Sequence, residues 1–148
     1  PYPKNYAIED KNILKPKAGE DIISVGYPNI GMIDELPTIT EGIVSKIFKD
    51  DGIHPIVDGK FLMTARINQG NSGGPIVDEN NGDLVGVANM KLDASISEGT
   101  NFAIKSSSIQ SFLSANKIKI KPTYLSFDKS RESLLELLES STVFIFCE

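Results

Sequence analysis

The chain has 148 residues, 40% of them hydrophobic and 24% charged, which fits one globular domain with enough apolar side chains to form a core. Its net charge of −5 lacks the basic excess that a general binder of the nucleic-acid backbone needs, so we expect no nucleic-acid partner. The single cysteine excludes an intrachain disulfide, and the longest apolar runs, residues 85–90 and 142–147, are far shorter than the ~20 residues that cross a bilayer.

The first 20 residues are polar and contain three prolines, so we expect an irregular lead-in there. Beyond them, β-type segments alternate with clusters of Gly, Pro, Asn and Asp, a rhythm typical of an all-β barrel or sandwich. Six strands are predicted, at residues 21–27, 38–48, 60–67, 75–78, 83–90 and 100–105. The Asn81-Gly82 pair between the fourth and fifth segments favours a tight hairpin turn.

The sequence changes to a helical period after residue 105. Ser107 and Gln110 fit a capping box, in which each side chain bonds the backbone near the other residue. Ile109, Phe112 and Leu113 fall on one face of the helix that would follow. The spacing therefore predicts a first helix in this segment.

A second helix is predicted to be capped by Asp128 or Ser130 and to end near Glu139. Its apolar stripe consists of the leucines at positions 134, 137 and 138, with Leu135 beside it. Residues 142–146, Thr-Val-Phe-Ile-Phe, then predict a terminal strand. Its partner would lie either in the barrel or beyond residue 148.

The strongest chemical signal is the glycine-rich segment 70–75, Gly-Asn-Ser-Gly-Gly-Pro. A serine between glycines has an unhindered hydroxyl, and glycines adopt the positive φ angles that let backbone N–H groups converge on one point. Convergent donors of this kind stabilise the oxyanion formed in acyl transfer. The plain alternative is a glycine-rich β-turn without chemistry.

The segment also satisfies G-x-S-x-G, the nucleophile elbow of α/β-hydrolases. That motif requires a helix directly after the serine and a histidine later in the chain. Here Gly73, Gly74 and Pro75 oppose a helix, and no histidine follows Ser72. The sequence therefore excludes this interpretation.

Several motifs in a fixed order resemble the C-terminal barrel of trypsin-like serine proteases, in particular the bacterial high-temperature-requirement type. The motifs are Val-Gly-Tyr-Pro at 25–28, Thr-Glu-Gly-Ile-Val-Ser at 40–45, Ile-Asn-Gln-Gly-Asn-Ser-Gly-Gly-Pro-Ile-Val at 67–77, Gly-Asp-Leu-Val-Gly-Val at 82–87 and Asn-Phe-Ala-Ile at 101–104. The likeness covers about residues 17 to 117.

The resemblance implies a mainly β fold, a six-stranded antiparallel Greek-key barrel that forms the C-terminal half of a chymotrypsin-like double barrel. The two helices and the terminal strand follow it. We therefore expect three parts: a lead-in over residues 1–20 that is the remnant of an inter-barrel connection, the barrel over 21–117, and a helix-strand extension over 118–148.

By the same resemblance, Ser72 is the acylating nucleophile, and the backbone N–H groups of Gly70 and Ser72 form the oxyanion hole. The strand through Asn89, Met90 and Lys91 is implied to bind an extended peptide by main-chain hydrogen bonds. The expected substrates are extended or unfolded polypeptides.

Residues 64–68 and 101–103 are implied to line the primary specificity pocket, with Arg66, Asn68, Asn101, Phe102 and Ala103 as its substrate-binding residues. Arg66 is expected near the pocket floor. If its side chain points inward, the pocket favours an acidic substrate side chain, and if it points to solvent, as strand alternation allows, the pocket is small and apolar. Asn101 replaces a glycine that is common in the family.

The family takes its catalytic His and Asp from the N-terminal barrel, and neither sequence context occurs here. The single histidine, His54, lies in a polar loop beside Pro55, where we expect it to be solvated. We therefore predict that this chain is inactive alone and that a missing N-terminal barrel is its partner. The resemblance favours an extracytoplasmic or cell-envelope location.

Two other functions stay open. One is a non-catalytic barrel that binds peptides along the same strand. The other is an interaction domain organised around the leucine stripe of the second helix and the terminal strand. No metal or cofactor is expected, because the one His and the one Cys are far apart and the carboxylates lack the loop spacing of a calcium site.

Overall fold

The structure is a computed structural model that describes residues 15–28, 36–91, 101–119, 130–143 and 145. For Met90 and Lys91 it describes the backbone only. Residues 1–14 of the expected lead-in lie outside the described residues, as does Asp128, one of the two candidate caps of the second helix.

Six strands form a closed antiparallel barrel, as the resemblance implied. They are β1 (Asp21–Gly26), β2 (Thr38–Ile47), β3 (Lys60–Met63), β4 (Pro75–Asp78), β5 (Leu84–Lys91) and β6 (Asn101–Lys105). Their order around the barrel is β1-β2-β3-β6-β5-β4, with β4 paired to β1. This order contains β4-β1-β2-β3, the spatial arrangement of a Greek key.

Strand β3 ends at Met63, four residues before the predicted end, although the Thr64 N–H still donates to the Ile43 carbonyl at 3.0 Å and side-chain hydrogen bonds are added there. The Thr64 hydroxyl accepts a hydrogen bond from the Ile43 N–H at 2.9 Å. The Ala65 carbonyl accepts one from the side-chain amide of Asn101 at 2.8 Å. The chain from residue 64 to the glycine-rich segment is therefore held to the barrel without being a strand.

The barrel interior is a single apolar cluster to which every strand contributes. Its buried members are Ile22, Val44, Phe61, Met63, Ala65, Ile67, Ile76, Val85, Ala88 and Ala103. Because successive strand residues point to opposite faces, Ile22 faces this interior and Ile23 faces outward.

A second apolar cluster covers the outside of β1 and β4. Helix α2 (Arg131–Ser141) contributes Leu134 and Leu138, which are 1% and 4% exposed, against the outward side chains of Ile23 and Val25. The Ser130 hydroxyl caps this helix by accepting the Ser133 N–H at 3.2 Å, which confirms one of the two candidate caps. Strand β1 is therefore buried on both faces.

Helix α1 (Ser106–Ala115) begins directly after β6, so the predicted capping box at Ser107 is wrong. The N-cap position is Lys105, whose ammonium instead lies 2.8 Å from Asp50 and 2.6 Å from the Phe48 carbonyl. Phe112 is 64% exposed, so the apolar face predicted for this helix is only partly buried.

The predicted terminal strand over residues 142–146 is wrong for the residues described there. Helix α2 continues to Ser141, and Thr142 ends it by donating both its N–H and its hydroxyl to the Leu138 carbonyl, at 3.0 and 2.7 Å. Val143 and Ile145 are exposed and belong to no strand, while residues 144 and 146 lie outside the described residues. Neither described helix is long and apolar enough to span a bilayer.

Candidate active site

The serine lies in a tight turn, residues 70–74, that leads into β4. Gly70 and Gly73 have φ angles of 102° and 90°, values that side-chain-bearing residues rarely adopt. The Asn71 N–H donates to the Asn68 carbonyl and the Gly74 N–H to the Asn71 carbonyl, each at 3.0 Å. These bonds fix the turn, and the glycine spacing in the sequence is what permits it.

The turn contacts the end of β1 so closely that two glycines are required. A Cβ atom on Gly74 would lie 2.2 Å from the Val25 carbonyl oxygen, and one on Gly26 would lie 2.8 Å from the Asn71 Cα. Asn71 itself is buried. The sequence patterns did not predict this contact between the turn and β1. The only residue that indicates it is Gly26 of the Val-Gly-Tyr-Pro motif.

The Ser72 side chain is exposed, and its hydroxyl donates a 2.8 Å hydrogen bond to the Asn89 carbonyl. In the pairing of β5 with β6, Ala88 faces Ala103 and Met90 faces Phe102, so Asn89 is an extra residue, a β-bulge. Because of the bulge, the Asn89 carbonyl is available to accept the hydrogen bond from the Ser72 hydroxyl. No sequence pattern predicted the bulge.

Two N–H groups of the turn make no hydrogen bond within the described part of the chain. Asn71, Gly73 and Gly74 each donate to a carbonyl, Gly73 to that of Ala88 at 2.8 Å. Within the described part of the chain, the N–H groups of Gly70 and Ser72 have no acceptor. These are the two donors that the resemblance implied for an oxyanion hole.

The end of β5 beside the turn is paired on one side only. Its last pairing with β4 joins Val87 to Pro75, while Met90 and Lys91 continue to pair with β6. Over residues 89–91, the edge opposite β6 has no strand partner among the described residues. A free edge of this kind is suited to the addition of an extended peptide.

The residues expected in the specificity pocket lie around the same barrel end. Arg66 and Asn68 are exposed, and Arg66 lies between the buried Ala65 and Ile67. Asn101, at the start of β6, is only 2% exposed; its Nδ2 donates to the Ala65 carbonyl and its Oδ1 has no partner in the described structure. The remaining two, Phe102 and Ala103, are buried within β6.

His54 is not brought to the serine. Its loop closes on the other end of β6, where Asp50 bonds both Lys105 and the Gly59 N–H, whereas Ser72 lies at the end where β6 begins. The imidazole is 68% exposed, with its Nδ1 3.5 Å from the Asp51 carboxylate. The solvated loop histidine expected from the sequence is what the structure contains.

A group of carboxyls lies at the far end of β4 from the turn. Burial raises the pKa of Glu20, and a hydrogen bond from its carboxyl to that of Asp78 raises it further. Burial, and then repulsion from Asp78, raise the pKa of Asp83. Asp78 also accepts the Asn80 N–H at 2.7 Å, so it shapes the β4–β5 hairpin. These acids are structural groups and do not reach Ser72.

Known proteins resemble this chain both in sequence and in structure. The trypsin-like peptidase domain model matches residues 6–87, more than half of the chain. Two proteins named "Serine protease HtrA-like", from Staphylococcus aureus strains MRSA252 and USA300, are each 34% identical over 128 residues, which cover 82% of this chain and 16% of theirs. The crystal structure of the serine endoprotease from Yersinia pestis matches 71% of this chain and 33% of that one, with 29% identity and a TM-score of 0.51.

The chain thus spans 16% of the length of the curated relatives that it matches. The serine turn on a closed barrel and the likenesses in sequence and in structure lead to one conclusion. This chain belongs to the trypsin-like peptidase family, and its sequence is similar to those of HtrA-like serine proteases.

Proposed function

We propose that this domain carries the nucleophile, the oxyanion hole and the peptide-binding edge of a serine endopeptidase. The catalytic His and Asp are supplied by a second barrel of the full-length protein. The observation that carries the proposal is the exposed Ser72 hydroxyl in a turn whose Gly70 and Ser72 N–H groups lack an acceptor in the described structure. In this scheme residues 1–20 belong to the connection between the two barrels.

The reaction is acyl transfer in two steps. Ser72 Oγ attacks the carbonyl carbon of the substrate peptide bond while its proton passes to the histidine of the second barrel. The oxyanion that forms receives hydrogen bonds from the Gly70 and Ser72 N–H groups. Collapse of this intermediate breaks the C–N bond, and the leaving amine takes the proton from the imidazolium. Water then hydrolyses the acyl-enzyme by the same route.

The isolated domain has no base that can take the proton from the Ser72 hydroxyl during the attack. The Ser72 hydroxyl donates to the Asn89 carbonyl, and a main-chain carbonyl is far too weak a base to accept the proton. Without its base, a serine protease keeps only the ~10³–10⁴-fold advantage that comes from oxyanion stabilisation and binding. The domain alone is therefore expected to be nearly inert.

The substrate class follows from the free edge of β5. An extended polypeptide pairs with residues 89–91 and so places one carbonyl group beside Ser72. Arg66 is exposed, and because its neighbours Ala65 and Ile67 face the barrel interior, its side chain points away from that interior.

Turnover of an unfolded polypeptide tests the proposal. A fluorescently labelled, unfolded protein is incubated with the full-length protein, with its Ser72→Ala variant and with the 148-residue domain. Cleavage by the full-length protein alone is the expected result. If the full-length protein binds the polypeptide without cleaving it, the domain is a peptide-binding barrel and the proposal is wrong.

A further inference from the structure

Helix α2 holds the strand on which the serine turn rests. Leu134 and Leu138 of the helix share one buried cluster with Ile23 and Val25 of β1. The helix lies outside residues 6–87, the range that the peptidase family model matches. It is therefore an element whose role the family assignment does not supply.

Polar contacts fix α2 at both of its ends. At the N-terminal end, the Arg131 guanidinium forms ion pairs with Glu41 of β2 and Glu79 after β4, one on each side of β1. At the C-terminal end, the Tyr27 hydroxyl donates a 3.1 Å hydrogen bond to the Thr142 carbonyl. The second contact joins the helix to the residue that directly follows β1.

The serine turn contacts the same three-residue segment, Val25-Gly26-Tyr27. The Val25 side chain lies in the cluster with α2. The Val25 carbonyl oxygen lies so close to Gly74 that a Cβ atom on that residue would collide with it. Gly26 contacts Asn71, the residue before Ser72, and Tyr27 bonds the helix end. A continuous path of contacts therefore leads from α2 to the nucleophile through consecutive residues.

We propose that α2 positions the 70–74 turn through residues 25–27, which makes Tyr27 a positioning residue for Ser72. This inference rests on the proposed function, and it adds that the rate of acylation depends on α2 being docked. A misplacement of about 1 Å in a catalytic group costs on the order of 100-fold in rate. An oxyanion hole is a particularly sensitive case, because its donors must lie within ~2.7–3.1 Å of the developing charge.

The first test compares two variants of the full-length protein. Tyr27→Phe keeps the ring and removes the hydroxyl that bonds the Thr142 carbonyl. Asp50→Asn is the control, because it breaks the pairing with Lys105 at the other end of the barrel. The rate constant for modification of Ser72 by a fluorophosphonate is measured with kcat, KM and Tm.

Tyr27→Phe is expected to slow the modification about three- to tenfold, a size set by the loss of one hydrogen bond. It should lower kcat with little change in KM, since the peptide-binding edge is on β5. Asp50→Asn is expected to lower Tm without slowing modification of the folded protein. The proposal is overturned if Tyr27→Phe reacts at the wild-type rate, or if Asp50→Asn slows the reaction equally.

Amide hydrogen exchange tests the same path without using activity. The Gly73 and Gly74 N–H groups, which bond the Ala88 and Asn71 carbonyls, report on opening of the turn. Their exchange through local opening of the turn, measured under conditions in which global unfolding does not contribute, should be about three- to tenfold faster in Tyr27→Phe, faster still in Leu138→Ala, and unchanged in Asp50→Asn.

The rate of Ser72 modification tests the proposed function, and the amide exchange rates test the role of α2 separately. If the wild-type protein is not modified at Ser72, the proposed function fails, and the exchange rates still decide whether α2 positions the turn. If Tyr27→Phe and Leu138→Ala both leave exchange at Gly73 and Gly74 unchanged, the inference about α2 is wrong whatever the activity.

Discussion

Replacement of Gly74 by alanine should damage the site more than it damages the fold. The new Cβ would lie 2.2 Å from the Val25 carbonyl oxygen and 3.0 Å from the Asn71 carbonyl oxygen. An ordinary contact needs about 3.4 Å or more, so the turn must move about 1 Å away from β1. Overpacking of this kind costs ~1–3 kcal/mol of unfolding free energy. A shift of the same size in a catalytic group lowers the rate about 100-fold.

Gly19→Ala provides the matched control, because Gly19 has a φ of 87° but no atom within 4 Å of an added Cβ. It should cost ~1–2 kcal/mol through backbone strain alone and leave catalysis unchanged. Urea unfolding gives the stabilities, and fluorophosphonate modification of the full-length protein gives the reactivity. Wild-type reactivity in Gly74→Ala, or an equal loss of reactivity in Gly19→Ala, would contradict this prediction.

Three further predictions concern stability and are checked by urea unfolding. Leu134→Ala should lower the free energy of unfolding by ~2–5 kcal/mol, since it empties a fully buried site between α2 and β1. A loss of less than about 1 kcal/mol would mean that the helix is not docked on β1. Asp50→Asn should lower the free energy of unfolding by ~0.5–1 kcal/mol at neutral pH, because it leaves the buried Lys105 ammonium without its carboxylate, while the exposure of Asp50 to solvent weakens the pairing. The Lys105 hydrogen bond lowers the pKa of Asp50, so this difference should vanish as the pH falls through that pKa. For Asp83, whose pKa is raised, the folded state binds the proton more tightly, so wild type should lose stability relative to Asp83→Asn as the pH rises above ~4. A pH-independent difference between these two proteins would contradict the assignment.

The barrel was largely predictable from the sequence because its signals are local. Alternation of β-branched residues, interrupted by turn residues, located all six strands, and the glycine spacing located the serine turn. Errors occurred where tertiary contacts outweigh local preference. Ser107 has a good capping sequence, but the N-cap position lies two residues earlier, at Lys105, because the helix continues directly from β6.

The supporting structure of the site was not predictable in the same way. The bulge at Asn89 depends on the register between β5 and β6, which no residue of β5 specifies alone. The path from α2 to Asn71 depends on contacts between residues more than a hundred positions apart, such as Tyr27 and Thr142. Sequence patterns report periodicity and turn chemistry, whereas such contacts are decided by packing.

Mass spectrometry can locate the fluorophosphonate adduct and so determine whether Ser72 is the nucleophile. The full-length protein, its Ser72→Ala variant and the 148-residue domain are treated under the same conditions, and the modified peptide is identified in each. We expect a stoichiometric adduct on Ser72 of the full-length protein, none in the variant and almost none in the isolated domain. Rapid modification of the isolated domain would contradict the claim that its base lies in another barrel. Absence of an adduct from the full-length protein would contradict the assignment of Ser72 as a nucleophile.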